Sequence, residues 1–194
     1  MKRSDDLRIR KTKLSIKTAL YELLKEKPFE EISVMDITKK AMINRSTFYL
    51  HYKDKENLLS CLSEEVFEEL EGYLNLISKE NLDKSKSDGT PFPHIVPILT
   101  YIKKNPDFFK LIALSSYKHT FYISLANKLS ERTFPIIFEF RQDKLTSTYG
   151  PSILINVLSC ILTKWIKNDM RESPEDLANL ITKIVLAVIT VDDK

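Results

Sequence analysis

The side chains best suited to chemistry cluster between positions 33 and 55: Ser33, Asn44, Arg45, Ser46, Thr47, Tyr49, His51, Lys53 and Lys55. The set consists of hydroxyls, an amide, an imidazole and cations. That is the chemistry of phosphate backbones and base edges rather than of bond making. Arg45 can donate two parallel bonds to guanine or fall on a phosphate. Ser46, Thr47, Tyr49 and His51 offer short polar contacts, expected mostly on phosphates. Lys53 and Lys55 add charge at the start of a long helix, whose dipole also attracts anions. Ser33 is a further phosphate candidate besides its capping role.

An enzyme needs a nucleophile–base pair, a metal set or a phosphate loop. His51, His94 and His119 are scattered, and Tyr117 with His119 is the sole isolated pair, so no catalytic residue, cofactor or metal is expected. Cys61 and Cys160 lie far apart and are read as buried free thiols. Only 3 glycines occur in 194 residues, which favours helices joined by short connections. No window of about 18 uninterrupted apolar residues is present, so no membrane span or membrane partner is expected. The charged N-terminus lacks the apolar core of a secretory signal, and the expected compartment is the cytoplasm. The net charge is +3. Its distribution says more: Met1 to Asn57 carries fourteen basic against nine acidic residues, the remainder sixteen against eighteen. Positive charge thus gathers near the candidate site.

Helical periodicity positions these residues. A helix over Arg8–Lys27 buries Ile16, Ala19, Leu20, Leu23 and Leu24 on one stripe and is stopped by Pro28. Ser33 opens a short helix with Asp36 as a capping partner, and Val34, Ile37 and Ala41 mark its inner face. Met42-Ile43-Asn44 is a break. A second short helix, Arg45–Tyr52, buries Phe48 and Tyr52 and spans about 12 Å, comparable with the major groove. Asp54 caps a long helix reaching Ser78. Two short helices joined by a three-residue turn, behind an amphipathic helix, meet the geometry of a helix-turn-helix.

From Ile32 through Thr38 and Ala41, then from Ile43 through Leu59, the sequence resembles the DNA-binding signature of the TetR family of bacterial regulators. The resemblance covers residues 8–62. It implies an all-α dimer: an N-terminal three-helix DNA-binding lobe (1–55, with the start of the connecting helix 54–78) and a larger C-terminal regulatory and dimerisation lobe (56–194). It further implies a repressor that binds double-stranded DNA at a palindromic operator and is controlled by an effector at the C-terminal lobe. In that pattern Thr47, Tyr49 and His51 face the backbone, Arg45 and Ser46 face the bases, and Lys55 meets a phosphate. The family often has glycine where Met42 and Ser46 stand. A helical interaction module controlled by a partner protein is the competing reading, so the effector is a small molecule or a protein.

In the second lobe, Asn81–Pro93 carries the strongest loop signal. Helices are expected at Pro93–Lys104, Pro106–Tyr117 with Asn105 as its cap, Thr120–Phe140 with a kink at Pro135, Pro151–Lys167, and Pro174–Val191 behind the cap Ser173. Two questions stay open. The apolar residues Ile155, Leu158, Leu162, Trp165, Ile181, Ile184 and Val188 form either an isologous dimer interface, the reading favoured here, or the monomer's own core. Phe108, Tyr117, Phe121, Tyr122 and Phe138 either line an effector pocket or are plain core. The stretch around Tyr149-Gly150-Pro151, Trp165 and Ser173-Pro174-Glu175-Asp176 resembles a C-terminal domain of Firmicute-type members.

Overall fold

The computed structural model describes residues 2–125, 136 and 144–189. The described residues are helical and contain no strand. They divide into two compact units, Met1–Glu65 with Leu114–Ser116, and Val66–Ala113 with Tyr117–Lys194.

The first unit is built on α1 (Lys2–Leu23), a 3-10 turn (Phe29–Glu31), α2 (Val34–Lys40), α3 (Arg45–Tyr49) and the opening of α4 (Lys55–Leu74). Ile16, Ala19, Leu20 and Leu23 recur on the inner side of α1 and are buried, as their spacing predicts. α1 begins six residues before the expected Arg8. Ser33 and Asp36 form a full capping box: Ser33 Oγ accepts from the Asp36 amide at 3.1 Å, and Asp36 Oδ2 accepts from the Ser33 amide at 2.9 Å. Lys27 donates to the same carboxylate at 2.9 Å. Chiefly that bond, then the two from Ser33, holds the Asp36 carboxyl well below the usual aspartate range. Lys40 ties α2 to Glu26 of the segment after α1 at 2.9 Å.

The turn between α2 and α3 runs through Met42 at φ 54°, a left-handed conformation that disfavours a side chain. Met42 is 91% exposed, so its side chain recovers little by packing. α3 is shorter than expected, ending at Tyr49 rather than Tyr52. The chain tightens there: the His51 amide bonds to Phe48 O at 2.9 Å, three residues back, while Tyr52 still reaches Phe48 O at 3.0 Å.

The second unit contains the remainder of α4, α5 (Lys79–Asp88), α6 (Ile95–Lys104), α7 (Pro106–Leu114), α8 (helical over residues 118–125), α9 (Lys144–Lys167) and α10 (Pro174–Ile189). Several expectations are corrected. α4 stops at Leu74, and α5 occupies much of the segment expected as loop. Ser78 caps α5 through the Asn81 amide, Leu82 and Ser85 are buried, and Gly89 ends it at φ 71°. Polar composition hid this helix because only one turn's worth of its residues faces inward. α7 ends at Leu114, short of Tyr117. Asn105 does not cap α7 with its side chain, which donates back to Tyr101 O at 2.9 Å and closes α6. α9 starts at Lys144, so Pro151 lies inside it rather than at its opening. Ser173 caps α10 as expected, accepting from the Asp176 amide at 3.0 Å. Pro135, Phe138 and the rest of the helix expected to reach Phe140 lie outside the described residues, apart from residue 136.

One further correction concerns apolar length. Thr148–Lys167 spans 20 residues at mean hydropathy 1.2, long and apolar enough by composition to cross a membrane. A search for uninterrupted apolar runs passes over it because Ser152, Asn156 and Ser159 punctuate the helix. Only 22% of it is buried within this chain. Cys61 is half-buried and Cys160 exposed, so the expectation of two buried thiols fails.

Two outcomes follow from the first unit. Ser33→Ala should lower stability in urea unfolding by about 1 kcal/mol. Because the Asp36 pKa is depressed on folding, its contribution is present above the ordinary aspartate pKa and is lost as pH falls below about 4. An Asp36→Asn variant should therefore show a flatter stability profile in that acid window. Met42→Gly relieves the left-handed strain and should raise stability by roughly 0.5–1 kcal/mol, read from the same denaturation curves.

Candidate nucleic-acid interface

Five residues are too few for a helix to stand alone, so α3 must be held by its neighbours. Phe48 is the anchor: fully buried, edge-on to Tyr49 at 5.7 Å and 5.6 Å from the Tyr52 ring. Tyr52 is 4% exposed, and burial pushes its hydroxyl up to about 12. With this face spent on packing, the other side of α3 carries Arg45, Ser46 and Tyr49, all exposed, and the half-buried Thr47. Asn44 precedes them in extended conformation and is exposed. His51 is half-buried beside Tyr52.

Arg45 and Tyr49 sit one turn apart. The guanidinium lies 5.5 Å from the Tyr49 ring centroid, and its terminal nitrogen donates to the Tyr49 hydroxyl at 3.1 Å. Both groups therefore stand ready on the exposed face, holding each other. Lys53 is exposed, its amide donating to Asn57 Oδ1 while Asp54 caps α4 through the Asn57 amide. Ser33 is exposed but its hydroxyl is engaged with Asp36.

Lys55 is placed differently from the expectation drawn by resemblance. Its ammonium donates to Phe29 O and Glu30 O, each at 2.9 Å, and lies 4.8 Å over the Phe29 ring. It closes the end of the 3-10 turn. Sequence reading passed over three apolar neighbours of the polar face: Met35, Met42 and Leu50 are 68%, 91% and 80% exposed. For Leu50 the signal was available, since it follows the buried Phe48 by two positions and must point away from it.

Of the five residues expected to line a pocket, Tyr122 alone does so among those described. Phe108 and Phe121 are buried in an aromatic cluster with Phe67 and Phe109, where ring centroids lie 5.0–5.7 Å apart. Tyr117 is half-buried and does not line the cavity, and Phe138 lies outside the described residues. Rings that pack edge to face fill their own space, so the cavity, about 160 Å³, opens among aliphatic side chains instead.

The residues expected at a dimer interface also separate. Trp165 and Ile181 are 3% and 4% exposed within one chain, and Trp165 Nε1 donates to Glu172 O at 3.2 Å. They belong to the monomer core, and the interface expectation fails for both. Ile155, Leu158 and Leu162 are half-buried and border the cavity. Ile184 and Val188 remain half-buried on α10 in line with Leu180, which is 48% exposed, and on α9 Ile153 is 50% exposed.

Comparison with known proteins agrees with this geometry. Residues 16–61 match the pattern of bacterial regulatory proteins of the tetR family, and residues 89–187 match the transcriptional regulator C-terminal region found with it. The chain is 24% identical, over 88% of its length, to the HTH-type transcriptional regulator YxbF of Bacillus subtilis. It is 30% identical over 63% of its length to DhaS of Lactococcus lactis, an HTH-type activator of the dhaKLM operon. It spans 43% and 61% of the length of those two relatives. A TetR regulator structure from Streptococcus agalactiae superposes with TM-score 0.70 at 25% identity, covering 95% of this chain and 99% of that one. The structure of a TetR-like regulator from Rhodococcus gives 0.61 at 16% identity over 91% and 96%, a likeness of fold. The N-terminal match on the helix-turn-helix and the C-terminal match on more than half of the chain together establish that this protein belongs to the TetR family of transcriptional regulators.

Proposed function

We propose that the protein binds a palindromic operator as a homodimer through α3, with Arg45 and Ser46 reading bases. Asn44, Thr47, Tyr49, His51 and Lys53 hold the phosphate backbone, with Ser33 beside them through its helix-capping end. The observation that carries this reading is the division of α3 into a fully buried Phe48 and an exposed polar side. A helix presented in that way is what a major groove accepts. Lys55 acts as a brace for the 3-10 turn, because two carbonyls already take its ammonium. Leu50 and Met42 add apolar surface suited to thymine methyl groups. The protein acts in the cytoplasm, where its operator lies.

A single helix-turn-helix makes few contacts, and a two-fold dimer doubles them. α9 supports such an assembly: it is apolar, yet only 22% of Thr148–Lys167 is covered by its own chain. Ile153, Val157 and Ile161 repeat every four residues on α9, and Leu180, Ile184 and Val188 do the same on α10. None of the six is buried. Two such helices from each subunit make a four-helix interface.

The sequence reading expected a repressor, while the relative DhaS is described as an activator. The same dimer–operator complex serves either outcome, and the sign of regulation follows from where the operator lies relative to the promoter. An effector on the second unit changes operator affinity, so DNA must change effector affinity by the same factor.

Fluorescence anisotropy with the promoter upstream of its own coding region tests the reading. Arg45→Ala should weaken binding roughly 10- to 100-fold and relax base choice, whereas Tyr49→Ala should weaken all duplexes alike. Affinity should fall steeply with salt, and Lys53→Ala should lower the log–log slope by about 1. Unchanged affinity in both Arg45→Ala and Tyr49→Ala would refute the assignment of α3. In sedimentation, Ile153→Glu combined with Leu180→Glu should convert the dimer to monomer and cost at least ~10-fold in operator affinity. A double variant that stays dimeric would rule out that interface.

A further inference from the structure

The cavity of the second unit has a chemistry of its own. Its walls include Leu70, Leu99, Leu125, Leu154, Leu158 and Ile181, and no charged side chain lines it among the described residues. Polar atoms are confined to His94, Tyr122 and Ser159. The Nδ1 atom of His94 is buried and makes no hydrogen bond, an exception to the rule that buried polar atoms are paired. The ring is held firmly. It stacks on Phe92 at 5.8 Å with an interplanar angle of 16°, and the Phe92 amide donates to Thr182 Oγ1 of α10 at 3.1 Å. The His94 carbonyl accepts from the Ile98 amide at 3.3 Å in the first turn of α6, which fixes the backbone.

We propose that this cavity is a binding site for a small neutral molecule with a ring-sized hydrocarbon body and one hydroxyl, which pairs with His94 Nδ1. Volume sets the size. Roughly 150 Å³ of space lined by Leu, Ile and Phe accommodates benzene, and this cavity measures about 160 Å³. Polarity sets the functional group. A hydroxyl both donates and accepts, so it satisfies either tautomer of the neutral imidazole. Charge is excluded by the walls: an ammonium or carboxylate would lose its hydration with no counter-ion to meet. Burial also holds the His94 pKa down to about 4, so the ring stays neutral near pH 7 and presents no cation to an acid. Phenols and cyclic alcohols are the class that fits.

The assignment deepens the regulator reading by naming the ligand chemistry of its second unit, but it is tested on the full chain without DNA. Phenol and toluene differ by a hydroxyl in place of a methyl. Calorimetry and saturation-transfer NMR should show both binding the wild-type chain. His94→Phe should weaken phenol roughly tenfold while leaving toluene within about twofold. His94→Gln, which restores a hydrogen-bonding group, should keep part of the preference for phenol, and Leu158→Trp should abolish binding of both by filling the space. Circular dichroism establishes that each variant is folded. Failure of both probes to bind the wild type, or equal loss of both in His94→Phe, would overturn the proposal. Operator affinity is measured separately. Phenol binding without operator binding would leave this site standing and remove only the regulator reading, whereas operator binding with no phenol binding would do the reverse.

Discussion

Burial of the Phe48 ring is the constraint on which the first unit rests. A five-residue helix cannot repay its nucleation cost from its own hydrogen bonds. Its existence depends on tertiary cover, and Phe48 with Tyr52 supplies the apolar surface that is covered. Once those two rings are fixed, helical geometry leaves Arg45, Ser46 and Tyr49 no direction but outward. The rest of the unit serves that placement. The Ser33–Asp36 box sets where α2 begins, Lys27 and Lys40 fasten α2 to α1 and the segment that follows it, and Lys55 secures the Phe29–Glu31 turn. The cost is local: Met42 takes up a left-handed conformation so that α3 can follow α2 after a short turn.

The second unit distributes apolar side chains in three ways with different consequences. Aromatic rings at Phe67, Phe108, Phe109 and Phe121 pack against one another and close the interior around themselves. Branched aliphatics lack that edge-to-face complementarity, and where they converge from several helices the fold leaves space. A third group, Ile153 and Leu180 with their half-buried neighbours, is left outside altogether. Surface of that last kind is uncommon on a monomer unless something covers it. Interior, cavity and outer stripe are thus drawn from the same residue types, and only geometry tells them apart.

That distinction marks the line between what was legible in the chain and what was not. Helix caps and inner stripes depend on neighbours within a turn or two. Ser33, Asp54 and Ser173 announced helix starts correctly, and the spacing of Ile16, Ala19, Leu20 and Leu23 announced a buried face. The DNA-facing set was legible for the same reason, since residues that alternate with Phe48 and Tyr52 on a helix must point away from them. α5 escaped notice because a helix with only Leu82 and Ser85 buried has almost no apolar period to detect.

Sequence by itself determined the helical class, the helix-turn-helix and the polarity of its reading face, because each follows from local spacing and hydrogen bonding. Tertiary structure alone decided that Lys55 would brace a turn, that Trp165 and Ile181 would sit in the core, and that the cavity would form beside His94 rather than among the phenylalanines. Those outcomes turn on which distant segments meet, and a side chain's type does not encode the identity of the surface that will cover it.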